Sequence, residues 1–260
     1  MRRVLLPVLA LVGLFGTWEV LARSGALADL MNLNDTAGTV LVPAPSHVAE
    51  SLWEDRGLLS EHGWVTLQEI LAGFALAVVI GVAFAIAMHL SETIRRAFYP
   101  LAVASQTIPI PAIAPVLVIW LGFGIGPKLA VITLICFFPI TVNTLDGLRG
   151  VDPAATRMMR TLDAGRVTML RRLELPMALP HFFSGAKIAI ALAAIGAVFG
   201  EFVSADEGLG HIIRQAQAQL LTARVFAAVA VLSTFAVGLF ALLSMLERRL
   251  AWWGPGARGR

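Results

Sequence analysis

WVTLQEILAGFALAVVIGVAFAIAM, residues 64–88, is long and apolar enough to cross a bilayer as one helix. About 20 residues rising 1.5 Å each cover the ~30 Å of hydrocarbon. Five more runs of this kind flank it, at Val4–Leu21, Tyr99–Leu121, Leu129–Leu145, Phe182–Val203 and Val225–Leu246. The predicted fold is all-α and membrane-integral, with about six transmembrane helices. Composition agrees. The chain is 58% hydrophobic and 14% charged with a mean hydropathy of +0.80, whereas a soluble domain carries roughly 25% charged residues. Three segments are expected: 1–61 with the first helix and an outer loop, a core at 62–246, and a tail at 247–260.

Charge sets the topology. Of the 20 Lys and Arg, fourteen fall in residues 1–3, 90–98, 146–180 and 247–260, and five fall in the alternate segments. An excess of basic residues marks the cytoplasmic side, so both termini are expected in the cytoplasm and the helix count is even. The basic residues sit at the ends of apolar runs rather than on a polar surface, which excludes nucleic acid as a partner. Cys136 lies within an apolar run, so no disulfide framework is available. The five histidines show no ligand spacing, and no metal is expected. Arg2-Arg3 and Ala26-Leu27-Ala28 resemble parts of a secretory signal. The longer apolar run between them favours an uncleaved first helix. In the outer loop, Val42-Pro43-Ala44-Pro45-Ser46 predicts extended backbone, then a short helix from His47 to about Trp53 capped by Ser46.

The connector at 146–180 is far longer than the usual 2–8 residues between helices. Asp152-Pro153 is a helix start, with an acceptor at the N-cap and proline at the first position. Ala154, Ala155, Met158, Met159 and Leu162 recur at helical spacing, with Arg157 and Arg160 among them. Asp163-Ala164-Gly165 interrupts the pattern, since aspartate and glycine tolerate left-handed backbone. A second amphipathic piece, Val167–Leu173 with Met169, Leu170 and Leu173 apolar, is expected to end at Pro176. Two readings stand: a knob that docks into a groove on another protein, or an amphipathic segment lying on anionic lipid.

Two further places carry polar groups where lipid disfavours them. In the third run, Pro109, Pro111 and Pro115 break the helix beside Ser105, Gln106 and Thr107. Broken backbone at membrane depth is tolerated where it lines a cavity or is buried in protein. The segment is therefore either pathway-lining or a kinked structural helix. Glu201 ends the fifth run and admits three roles: a gate contact, an ion pair with Arg214 or Arg224, or simple emergence into water. Lys187 is expected to snorkel from the fifth helix.

The connector resembles the cytoplasmic coupling loop of binding-protein-dependent ABC importer permeases. Leu173-Glu174-Leu175-Pro176 stands as the loop's closing Ile-x-Leu-Pro, with Asp152-Pro153 at the expected lead-in. Arg157-Met158-Met159 replace its Glu-Ala-Ala, and Asp163 replaces its glycine, which leaves the turn to Gly165. Val42–Ser46, the Ala104–Pro109 segment with Pro115 and Trp120–Gly124, and Gly196–Phe202 with Gly208–Gly210 resemble the nitrate/sulfonate/taurine branch. Within it, the last combination is most similar to permeases for thiamine-precursor pyrimidines or riboflavin.

The resemblance implies a type I importer permease fold with a coupling-helix loop between the fourth and fifth spans, in a bacterial inner membrane. It implies two permease copies on a two-fold axis, cytoplasmic ABC ATPases beneath them and an extracytoplasmic substrate-binding protein. It also implies a cargo of a pyrimidine, riboflavin, sulfonate, taurine or nitrate. The chain has no phosphate cradle of the Walker type, so it carries no cofactor and ATP belongs to the partner subunit. The resemblance implies a transport subunit rather than an enzyme. The alternative is an ATP-independent secondary transporter or channel. That needs ionisable groups within the membrane, and the runs offer almost none beyond Glu201.

Overall fold

The computed structural model describes residues 2–24, 42–204 and 206–253, and every regular element among them is helical. In chain order these are α1 (Arg2–Arg23), α2 (Pro45–Glu54), α3 (Arg56–Leu90), α4 (Glu92–Ser105), α5 (Ile110–Leu121), α6 (Ile125–Arg149), α7 (Pro153–Thr161) and α8 (Arg166–Met169). A π-helical turn (Leu170–Glu174) then leads into α9 (Leu175–Ser204), followed by α10 (Leu209–Ala218) and α11 (Thr222–Leu250). α3, α6, α11 and the continuous run Arg166–Val203 are each long and apolar enough to cross a membrane. α4 and α5 reach that length and apolarity only as a bent pair, the pattern of a broken span or a re-entrant loop. α1, at 22 residues, contains the first expected run, Val4–Leu21.

The structure corrects the reading at three breaks. The third run is not one kinked helix: α4 and α5 meet at 108°. Pro109 stands in extended backbone as the N-cap of α5, with ψ 121°, and Pro111 follows in the first turn, where a missing N–H costs little. Pro176 does not end the connector's second helix. The π-helical turn before it widens the spiral, and the chain runs on through Pro176 and Pro180 into α9. Ser46 does not cap α2. Pro45 occupies the first turn after an Ala44 N-cap, and the carboxylate of Glu19 accepts from the Ser46 N–H (3.0 Å) and hydroxyl (2.8 Å). An anion from α1 thus sits at the positive end of α2.

The chain divides into two compact units. The first comprises Met1–Val65 and Asp206–Leu232. In it the Arg224 guanidinium grips Asp55 with both arms, at 2.7 and 2.8 Å, and the Gly208 N–H donates to His62 Nδ1 at 2.9 Å. Trp18 packs against Phe226 at 5.9 Å between ring centres.

The second unit comprises Thr66–Ala205 and Ser233–Arg260. α6 forms its core, burying Val131, Ile132, Ile135, Ile140, Leu145 and Leu148, and its main neighbour is α9. Glycine makes that approach possible. A Cβ at Gly185 would meet the Pro139 carbonyl and lie 2.8 Å from Asn143 Cβ, and one at Gly196 would lie 2.8 Å from Ile135. Both sites need the missing side chain, because the backbones are already in contact.

Candidate functional site

The connector between α6 and α9 folds as the sequence predicts at its start. Asp152 Oδ1 accepts from the Ala154 N–H at 2.7 Å, with Pro153 in the first turn. No residue of α7 is buried. Its end is a double turn in which Asp163 N–H donates to Arg160 O and Ala164 N–H to Met159 O, at 3.0 and 3.1 Å. That pattern requires a left-handed residue just past the helix. Asp163 supplies it at φ 56°, and Gly165, at φ −65°, serves as the N-cap of α8. The expected handover to Gly165 is therefore corrected: Asp163 does what glycine does at that position.

Met158, Leu162 and Val167 are two-thirds exposed. Among the described residues, Arg157, Arg160, Arg171 and Arg172 make no ion pair. The arm thus presents apolar side chains within a field of unpaired positive charge. Ala155 and Met159 are half-buried. The foot is different. Met169 is buried, and Leu170 and Leu175 pack on Ala85, Met88, Leu145, Leu148 and Ala178. Leu170 therefore belongs to the core rather than to the exposed face, and Leu173 and Pro176 are half-buried beside it. Arg166 donates to the Leu90 carbonyl at the end of α3, and His89 Nε2 bonds Glu174 Oε2 at 2.9 Å.

The α4–α5 pair brings Ser105, Gln106, Thr107 and Pro109 into one bend. Two of the hydroxyls turn back on α4, Ser105 to Ala102 O and Thr107 to Ala104 O, each at 2.7 Å. Gln106, Thr107 and Pro109 are exposed.

Glu201 lies elsewhere and does not emerge into water. It is fully buried, and Thr66 donates to its Oε1 at 2.6 Å. Arg224 is held by Asp55. One helical turn past Thr66, Glu69 accepts from Lys128 Nζ at 2.6 Å, with both side chains over 90% buried. A Cβ at Gly200 would lie 3.0 Å from Lys128 Cα, so α9 closes on this layer. Thr66, Glu69, Lys128 and Glu201 form a buried polar layer across three helices.

The reading that the runs offer almost no ionisable group beyond Glu201 is thus corrected. The signal was present, since Glu69 stands inside the apolar run at 64–88. Lys187 reaches Glu247 on α11, its Nζ 2.8 Å from Oε2.

Apolar helices long enough to span and a long amphipathic connector before the last of them give the frame of a multi-pass membrane protein. A family model, binding-protein-dependent transport system inner membrane component, matches residues 77–252. The formylaminopyrimidine transport permease of Halalkalibacterium halodurans is 37% identical over 95% of each chain. The riboflavin transport system permease of Chloroflexus aurantiacus is also 37% identical, over 82% of this chain and 80% of its own. An inward-facing methionine ABC transporter shares the fold with a TM-score of 0.64 at 19% identity, covering 76% of this chain and 96% of that one. The chain belongs to the binding-protein-dependent ABC transport permeases and is a multi-pass inner-membrane protein.

Proposed function

We propose that this chain is the membrane-spanning subunit of an ATP-driven importer for a small nitrogen heterocycle. It works as a homodimer with two cytoplasmic ABC ATPases and an extracytoplasmic binding protein. The observation that carries the reading is the connector. α7 buries none of its residues and leaves Met158 and Leu162 exposed, while its foot is continuous with α9 through the π-helical turn. An apolar ridge ringed by arginines fits a groove on a partner, and force applied there is delivered to a spanning helix. The charge bias of the connector supports a cytoplasmic position for it and for both termini. The bend at Ser105–Pro109 supplies polar backbone to a solute route between the two copies, and Glu201 with Thr66 sets the helix spacing beside that route.

Likeness to permeases for formylaminopyrimidine and riboflavin supports a planar heterocyclic cargo. The test is ATP hydrolysis by the reconstituted complex, with the binding protein presented with a pyrimidine, riboflavin, taurine, an alkanesulfonate or nitrate. Stimulation by a heterocycle is expected. Stimulation by taurine, sulfonate or nitrate alone would move the cargo assignment, and uptake that persists after ATP depletion would replace the importer with a secondary transporter.

A further inference from the structure

We propose that the bond between His89 and Glu174 is a latch that positions the connector on a π-helical hinge and so sets how much connector movement reaches α9. The inference rests on the coupling role proposed above.

The hinge is local and identifiable. Leu170–Glu174 is the single π-helical turn among the described residues, and it falls where the connector enters the span. π turns inserted in α-helices recur at functional sites. The helical ladder is thin at this point. Pro176 and Pro180 have no N–H, so the carbonyls four residues before them lack their usual donors. The Pro176 carbonyl accepts from the Trp253 indole Nε1 instead, at 3.3 Å. Leu170 seats the hinge in the apolar cluster and serves as the pivot.

On the arm side of the pivot Met169 is still buried, no residue of α7 is, and Arg166 donates to the Leu90 carbonyl. A cavity of about 290 Å³ lies under the connector, lined by Met88, Glu92, Arg95, Leu148, Arg149 and Thr156 as well as the His89–Glu174 pair. The arm therefore has room to shift without breaking a packed core. His89 lies in the last turn of α3 and Glu174 ends the π turn, and their side chains are only 16% and 14% exposed. A bond sheltered to that degree is strong enough to hold a position and small enough to be released.

The experiment compares His89→Leu, His89→Gln and the exchange His89→Glu with Glu174→His in the complete complex. It measures solute moved per ATP hydrolysed, and hydrogen exchange of residues 170–176. His89→Leu is expected to lower the transport ratio about fivefold, the population change for one polar bond of ordinary strength, and to speed exchange at the hinge. His89→Gln keeps an N–H donor and is expected to restore both to within about twofold, as is the exchanged pair. A plain loss of folded protein lowers transport and hydrolysis together and leaves their ratio unchanged. A wild-type ratio in His89→Leu, or a ratio that neither rescue variant improves, would overturn the latch. Should His89→Leu fail to insert, Glu174→Ala is read by the same criteria. Failure of the wild-type chain to bind an ATPase would instead remove the coupling role itself.

Discussion

Asp163 stands in left-handed backbone at φ 56°, a conformation that costs most L-residues about 1–2 kcal/mol and aspartate less. Asp163→Gly is expected to keep the connector as resistant to protease as the wild type or make it more so. Asp163→Val is expected to open the turn and raise the cutting rate roughly tenfold, as a loss of about 1–2 kcal/mol implies. Asp55 gives a pH-dependent case. Hydrogen bonds from the Arg224 guanidinium hold its carboxyl below the usual carboxylate range. A depressed folded value contributes stability that is present above the unfolded aspartate value, about 3.9, and is lost as pH falls through the folded one. The melting temperature of Asp55→Asn should therefore lie below that of the wild type at neutral pH, and the gap should close below about pH 4. A gap that stays constant to low pH would contradict the assignment. At this scale the sequence is legible where chemistry is local: Asp152 before Pro153 dictates a cap. The Glu69–Lys128 and His89–Glu174 pairs join residues 59 and 85 positions apart, and no short-range pattern encodes such partners.

Whole elements follow from apolar length, and five of the six expected runs coincide with helices that extend a few residues beyond them. The sixth, Tyr99–Leu121, contains its own prolines yet resolves into two helices at 108°. Proline signals a break, but its angle is fixed by what packs around it. Pro176 shows the converse, since a π-helical turn absorbs the proline and the helix continues. Close packing of α6 on α9 depends on Gly185, where an added Cβ would meet the Pro139 carbonyl. Gly185→Ala is expected to cost about 1–3 kcal/mol from overpacking and to lower the yield of folded protein in detergent. Gly13→Ala, with nothing within 4 Å of the new methyl, should leave the yield unchanged. Equal yields would contradict the packing account.

For the whole molecule, the class is legible from composition and the family from the connector, because both are written in runs of many residues. The polar layer of Thr66, Glu69, Lys128 and Glu201 is not, since it exists only when three helices meet. The account's central claim is that the arginine-rich arm is gripped by a separate ATP-hydrolysing subunit. The most direct measurement places a photo-activated cross-linking residue at Leu162, which is 68% exposed, in the intact membrane. The account predicts a cross-linked product of this chain with an ATPase subunit, weakened when the reactive group is moved to buried Met169. Cross-links to phospholipid alone, with no ATPase adduct at Leu162, would contradict it.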